Sequence, residues 1–459
     1  MDDTIVALAT PPGEGAIHIV RLSGKQASKI VGTCFQPLNK DKWKAEGTFT
    51  LHLGWFYDGD LKLDQVLVSR MKGPNSYTGE DVFEINCHGG MLLARRIMKA
   101  CLRQGAQLAK PGEFSKRAFL NGKMDLIQAE AIVDLISART ELSADLALLQ
   151  LSGNLSSRID EVRQEILDIL SYIEATIDFP EDEIDSFALT DLYERILKVK
   201  DKALEIFKGS KTGKILREGL STVIAGRPNV GKSSLLNALL KEDRAIVTDI
   251  PGTTRDEIHE YLKIGEVLLH LIDTAGIRES EDPIEMIGIE RAWKALNMAD
   301  VILLLLDASE LNCRKLAKEE KTILEEYASK TIVLINKTDL FPSYDFDESF
   351  FPPEVFALPF SVKKHLGFSE LEQEILRRVF EGENTLASEP LLSNIRQIQA
   401  LENCIHSLEK AMEAVYVNVP QDLISIDIRS SLEEISLITG HNVQEDLLNN
   451  IFTRFCIGK

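Results

Sequence analysis

The sequence predicts an α/β domain inserted into a helical bundle that is discontinuous in sequence, with an α+β domain in front of both. Three observations predict it. Residues 1–120 mix short β-type runs with glycine and proline punctuation. Apolar residues recur every three or four positions at Ile159, Val162, Ile166, Ile169, Ile173 and Ile177, and again at Ile395, Ile398, Leu401, Ile405, Leu408, Met412 and Val415. Between these helical stretches, residues 217–380 hold short, mostly apolar runs that each end in a polar or glycine-bearing turn, as strands buried on both faces of a parallel sheet do.

At 459 residues the chain is too long for one hydrophobic core. In the first domain, 1–120, the β-type runs are 5–9, 17–22, 65–69 and 82–86. The first helical part, 121–216, carries a long helix that ends at Pro180, inside the acidic stretch from Asp178 to Asp185. The second part is 381–459. Neither block has a partner of its own, so the economical arrangement packs them together around the inserted domain. The alternative, two independent helical domains, leaves each with little core to bury.

Composition is globular, 44% hydrophobic and 27% charged. The amino terminus lacks the basic and apolar regions of a signal peptide, and the longest apolar run, 301–306, is far too short to span a bilayer. Six scattered cysteines without CxxC spacing argue against zinc or a disulfide framework. These features predict a cytoplasmic protein with no membrane partner. A formal charge of −20 confines any nucleic-acid site to a local patch. The one basic concentration is 95–123, where Arg95, Arg96, Lys99, Arg103, Lys110, Lys116, Arg117 and Lys123 accompany a single acid, Glu113; a solvated helix face is the plainer reading.

The inserted domain carries a nucleotide signature. A buried-strand run, 220–225, leads into Gly226-Arg-Pro-Asn229-Val230-Gly231-Lys232-Ser233-Ser234 and then a helix, the context a phosphate-binding loop requires. Its glycines let N–H groups curl around phosphates, Lys232 supplies a point charge, and Ser233 offers a hydroxyl to magnesium. The strand at 267–272 delivers Asp273-Thr274-Ala275-Gly276 to the magnesium and γ-phosphate side. Between them Thr248, Asp249, Ile250, Pro251, Gly252, Thr253 and Thr254 form a switch-like loop, one of whose threonines completes the magnesium shell. The apolar run 332–335 delivers Asn336-Lys337-Thr338-Asp339. A carboxylate at Asp339 accepts from guanine's ring N–H and amine together, a pair adenine lacks, so these residues imply GTP. Ser361, after the run 355–360, fits the last base-contacting loop. Ile277 stands where many GTPases place a water-orienting glutamine, so the catalytic group must come from elsewhere. Four candidate carboxylates, Glu279, Glu281, Asp282 and Glu285, follow before Glu290, and chemistry alone does not choose among them.

Four further stretches give the chain a resemblance over nearly its whole length: DTIVALATPPGEGAIHIVRLSG at 3–24, GPNSYTGEDVFEINCHGG at 73–90, KPGEFSKRAFLNGKMDLIQAEAI at 110–132, and the terminal FCIGK. It resembles the tRNA-modification GTPases of the MnmE (TrmE) family. The resemblance implies a folate-binding-type amino-terminal domain that dimerises, and a flavin- and NADH-using partner, MnmG, with which a heterotetramer forms. Together these add an aminomethyl or carboxymethylaminomethyl group to C5 of the wobble uridine of certain tRNAs. The one-carbon unit comes from a tetrahydrofolate derivative, 5-formyl or methylene. The resemblance places the flavin on the partner, and no GxGxxG fingerprint is visible here.

Residue by residue, the resemblance places folate contacts on Arg21, Glu84, Lys123 and Lys459, a catalytic glutamate on Glu285, and a reactive cysteine on Cys456. It places potassium on Asn229, Thr248, Ile250 and Thr253, and magnesium on Ser233 and Thr254. A competing reading is a ribosome-assembly GTPase acting as an RNA-binding switch. The nucleotide segment does not separate the two, but a folate-type domain and a terminal cysteine have no role in such a switch. A free-standing folate aminomethyltransferase leaves the GTPase segment unexplained.

Overall fold

A computed structural model describes residues 3–44, 47–178, 189–241, 260–272, 293–311, 316–341, 350–380 and 390–459. The chain forms two compact units. One comprises Met1–Val133, Leu151–Val199 and Asn403–Lys459; the other comprises Asp134–Gln150 and Lys200–Glu402.

The first unit opens with a seven-stranded sheet: β1 (Ile5–Leu8), β2 (Ile17–Ser23), β3 (Phe35–Pro37), β4 (Thr50–Asp58), β5 (Leu61–Met71), β6 (Val82–His88) and β7 (Gln107–Leu108), in the order β3-β4-β5-β6-β2-β1-β7. Pairing is antiparallel except between β1 and β7. Side chains alternate across a strand. Val20 and Leu22 of β2, Phe83 and Ile85 of β6 and Val66 and Val68 of β5 therefore share one core with helices Ala27–Cys34 and Met91–Arg103, which contribute Ile30, Val31, Ala94 and Ile97. The intervening positions point to the opposite face. Register sets Arg21 directly across from Glu84 there.

Helix Glu113–Leu120 holds a buried cation. The sequence groups Arg117 with surface charges, but its side chain is 1% exposed and three carboxylates meet it, Asp3 at 3.0 Å, Glu80 at 3.2 Å and Glu113 at 2.8 Å. A guanidinium withdrawn from water persists only with such partners. Lys116 also turns inward, donating to Asn449 at 2.8 Å. The basic concentration is smaller at the surface than in the sequence.

Helices from the two separated stretches do pack together, but the partner of the first long helix is not the 395–415 period read in the sequence. Helix Asn154–Asp178 lies along helix Gln421–Thr439, burying Ile159, Val162, Ile166 and Ile173 on one and Ile424, Ile428, Ile435 and Ile438 on the other. An ion pair from Arg429 to Glu174 (2.6 Å) and a side-chain hydrogen bond between His441 Nε2 and Asp160 Oδ1 (3.2 Å) match the antiparallel register. Helix Glu445–Phe452 then returns the chain to the first domain, where Leu448, Phe452 and Phe455 join Leu126 and Ala129 in a small core.

The second unit holds a six-stranded sheet: β8 (Leu220–Ala225), β9 (Glu260–Ile264), β10 (Val267–Leu271), β11 (Val301–Asp307), β12 (Thr331–Asn336) and β13 (Phe356–Pro359), ordered β13-β12-β11-β8-β10-β9. All neighbours are parallel except β9 and β10. Leu303 and Leu305 of β11 face a core shared with Leu235, Leu239, Leu371 and Ile375. Ile302, Leu304 and Leu306 face another shared with Leu296, Ile323 and Leu324. Burial on both faces is why these strands read as unbroken apolar runs. β8 lies between β10 and β11, so the strand order reverses at its carboxyl end, where doubly wound sheets leave a binding crevice.

Candidate functional site

Between Ala225 and helix Lys232–Lys241 the backbone makes a tight curve. Gly226 and Gly231 stand at φ +135° and +113°, and a Cβ there would lie 2.4 Å from the Leu305 carbonyl oxygen and 2.3 Å from Asn336 Nδ2. Glycine is required at both. Asn229 is also left-handed, at φ +64°, with its residue exposed, while Val230 is buried and anchors the loop. Lys232 Nζ donates to the Gly226 and Arg227 carbonyl oxygens at 2.5 and 2.9 Å, folding across the curve. Ser233 and Ser234 are exposed on the first helical turn. A helix amino terminus with an ammonium beside it suits a polyphosphate. The Ser233 hydroxyl is the kind of hard oxygen that magnesium takes.

Asn336, at the end of β12, braces this loop. Its Nδ2 donates to the Val230 carbonyl oxygen at 2.7 Å and its Oδ1 accepts from Val362 N at 3.2 Å, tying the phosphate loop to the loop after β13. Lys337, left-handed at φ +66°, is held by Asp307 at 2.7 Å. Hydrogen bonds from Lys337 and Ser309 outweigh burial and hold the Asp307 carboxyl below its usual range. Ser361 Oγ donates to Asp339 Oδ1 at 2.6 Å. That bond occupies one carboxylate oxygen and turns the group toward a fixed direction. Thr248, Asp249, Ile250, Pro251, Gly252, Thr253, Thr254, Asp273, Thr274, Ala275, Gly276 and Glu285 lie outside the described residues.

The first unit holds a second cluster, built around the chain's last residues. Arg21 Nε donates to Glu84 Oε1 at 2.8 Å, and Arg21 Nη1 donates to the Gly458 carbonyl oxygen at 2.9 Å. Phe114 N donates to the Lys459 carbonyl oxygen at 3.2 Å, and Gly112 N to that of Cys456 at 3.5 Å. Gly458, at φ +95°, passes so close to β1 that a Cβ would sit 2.4 Å from the Leu8 carbonyl oxygen. The Arg21 guanidinium lies over the Tyr77 and Phe114 rings, 5.5 and 5.7 Å from their centroids. Burial first, then Arg21, hold the Lys459 ammonium below its ordinary range, with Glu84 and Cys456 opposing. Arg21, Glu84, Cys456 and Lys459 are thus brought together. Lys123 is exposed, its stem beside Gly79, and no hydrogen bond or ion pair joins it to the other four among the described residues.

Two family models match the chain: "GTP-binding protein TrmE N-terminus" at residues 4–123 and "MnmE helical domain" at residues 126–456. The tRNA modification GTPase MnmE of Desulfitobacterium hafniense is 55% identical over the whole of both chains. That of Alkaliphilus metalliredigens is 46% identical over the whole of both. That of Ligilactobacillus salivarius is 46% identical over all of this chain and 98% of its own. The chain belongs to the MnmE family of tRNA modification GTPases. As an MnmE-family protein it binds GTP with magnesium, hydrolyses GTP and takes part in tRNA modification.

Sequence reasoning missed several supporting groups. Asn336 reads only as part of the nucleotide signature, and nothing in the sequence shows that its side chain links two loops. Tyr77 and Phe114, which flank Arg21, gave no signal, since single aromatics read as core. Gly458 could have been found: a glycine between bulky neighbours at a chain end has no use unless the backbone is pressed against something.

Proposed function

We propose that this MnmE-family GTPase, with an MnmG-type FAD protein, adds an aminomethyl or carboxymethylaminomethyl group to C5 of the wobble uridine of certain tRNAs. The observation that carries this reading is the docking of the FCIGK tail onto the Arg21–Glu84 pair, which gathers two cations, a carboxylate and a thiol on one face of the amino-terminal sheet. The donor set fits a tetrahydrofolate derivative. Glu84 is a carboxylate that can accept from a pterin's amine and ring N–H, and Arg21 and Lys459 suit a glutamate tail or formyl oxygen. Bound there, 5-formyl or methylene tetrahydrofolate supplies the one-carbon unit. Lys123 belongs to the proposed set through the family resemblance, and homodimerisation through this domain, a heterotetramer with the partner and a cytoplasmic location complete the reading.

Deleting the gene should remove the modified wobble nucleoside from total tRNA, read by mass spectrometry, and wild-type protein should restore it. Calorimetry should show formyl-tetrahydrofolate binding that Arg21→Ala and Glu84→Gln abolish and Lys232→Ala leaves intact. An unchanged nucleoside profile after deletion overturns the modification; no heat with the wild-type chain removes the one-carbon role.

Potassium enters the same proposal. Ile277 stands in place of a water-orienting glutamine and no arginine can be assigned as a finger from the sequence, so positive charge near the developing charge between the β- and γ-phosphates must come from another source. Asn229 fits a cation ligand: it is exposed at the apex of the phosphate loop in a left-handed turn. Thr248, Ile250 and Thr253 complete the proposed site, with Ser233 and Thr254 on magnesium and Glu285 as the hydrolytic glutamate. Turnover should be severalfold faster in potassium than in sodium at equal ionic strength, and Asn229→Ala should erase the difference. Equal rates for the wild-type chain in the two salts would sink the potassium site.

A further inference from the structure

We propose that the face of the amino-terminal sheet covered by helices Ala27–Cys34 and Met91–Arg103 holds the phosphate backbone of tRNA. The proposal rests on the tRNA-modification reading and deepens it by naming the surface. Its basis is the distribution of charge. The chain carries 72 acids against 52 cations, yet no acid occurs at positions 15–40 or 85–112, the two segments that contain these helices. Both helices bury their apolar sides in the same sheet core and pack beside each other. What they turn outward is Lys29 on one and Arg95, Arg96, Lys99 and Arg103 on the other, all exposed.

The spacing makes this a stripe. Arg95, Lys99 and Arg103 follow at four-residue intervals, about 6 Å apart along the axis, so they share one face. Arg103 is paired with Asp58. Arg95, Arg96 and Lys99 have no hydrogen-bond or ion-pair partner among the described residues. Like charges at this spacing each destabilise a helix by about 0.2–0.5 kcal/mol, and no acid on the helix offsets them. A merely solvated face would be expected to mix signs, as most of this acidic chain does. A one-signed stripe instead concentrates positive potential locally, which a polyanion of closely spaced phosphates answers through release of its counterions. The stripe lies on the opposite side of the sheet from Arg21 and Glu84, so it would grip the nucleic acid away from the reacting base, where phosphate contacts position without reading sequence.

The test uses the full-length protein with unmodified tRNA transcript, titrated over a range of salt. Arg95→Gln, Arg96→Gln and Lys99→Gln combined should weaken binding by roughly tenfold or more and lower the slope of log affinity against log salt by about 3, one for each phosphate no longer neutralised. Glutamine keeps helix propensity and relieves the like-charge repulsion, so the melting temperature should stay at or slightly above the wild-type value and GTP turnover should be unchanged. The conservative Arg95→Lys, Arg96→Lys pair should keep the wild-type slope, and the triple variant should restore less modified wobble nucleoside in cells lacking the gene. Wild-type binding with an unchanged slope in the triple variant overturns the face and leaves the modification reading intact. If deletion removes the nucleoside while the wild-type chain binds no transcript at low salt, the face is also overturned. Equal losses for tRNA and for duplex DNA would make it a general polyanion surface and overturn tRNA as its occupant.

Discussion

Asp339→Asn is expected to weaken GTP on the order of a hundredfold or more and to convert the protein to xanthosine triphosphate. One of the two charge-assisted hydrogen bonds from guanine's ring N–H and amine would be lost outright, at about 1.5–3 kcal/mol, the other would lose its charge assistance, and the new NH₂ would face a donor of the base. Xanthine carries a carbonyl where guanine has the amine, so the asparagine NH₂ has an acceptor there. The structure makes this substitution a clean one. Ser361 Oγ donates to Asp339 Oδ1 at 2.6 Å, and an asparagine Oδ1 can accept the same bond, so the loop keeps its shape. Asn336 and Lys337 are held independently, by Val230, Val362 and Asp307. The measurement is the affinity of wild type and variant for GTP, ATP and xanthosine triphosphate. GTP affinity that survives intact would show that the base is read elsewhere.

The second unit was the more legible in sequence because its information is local. A parallel sheet buried on both faces writes each strand as a short apolar run, so the runs at 301–306 and 332–335 found β11 and β12 to within a residue. The phosphate loop follows its strand directly. In the first unit β3 and β4 went unread, since β4 alternates exposed Leu51 and Leu53 with buried His52 and Gly54, which inverts the usual pattern. Helices Gln421–Thr439 and Glu445–Phe452 also went unread, the former because its burial is split between isoleucines and serines, Ser431 and Ser436 among them. The tail site was legible only through family resemblance. Arg21 and Glu84 are 63 residues apart and Gly458 is 437 from Arg21, so nothing local in the sequence announces that an antiparallel register and a docked terminus bring them together. Arg117 failed for a related reason: a cation among cations gives no hint of burial when its carboxylate partners lie up to 114 residues away.

Cys456→Ser is expected to reduce wobble-uridine modification by a factor on the order of 10⁴ or more, the scale on which removal of a nucleophile acts, while leaving GTP hydrolysis unchanged. The other described cysteines show what a structural thiol looks like here. Cys34, Cys87 and Cys404 are buried, and burial pushes their thiols up to about 11, 11 and 12; Cys101 is buried and pushed up as well. Such thiols are inert. Cys456 is exposed, and its backbone is pinned through its carbonyl to Gly112 N, next in sequence to Phe455, which is buried in the small core with Phe452. A terminus is ordinarily loose unless tied down, and this one is tied at Cys456, Gly458 and Lys459. Lys459 N also donates to the Cys456 carbonyl oxygen at 3.3 Å, which holds the two residues in one turn, and burial and Arg21 hold the Lys459 ammonium below its ordinary range. The cysteine side chain adds little core, so serine should cost little stability, and the bonds that dock the tail, each made through the tail's own backbone, should survive. Removing Gly458 by Gly458→Val gives the complementary case, because any Cβ would strike the Leu8 carbonyl oxygen and undock the tail with its thiol intact. Loss of modification in both variants, with formyl-tetrahydrofolate still bound by Cys456→Ser and weakened in Gly458→Val, would separate a chemical thiol from a positioned tail. Full modification by the serine variant would reduce Cys456 to a surface residue on a structural strap.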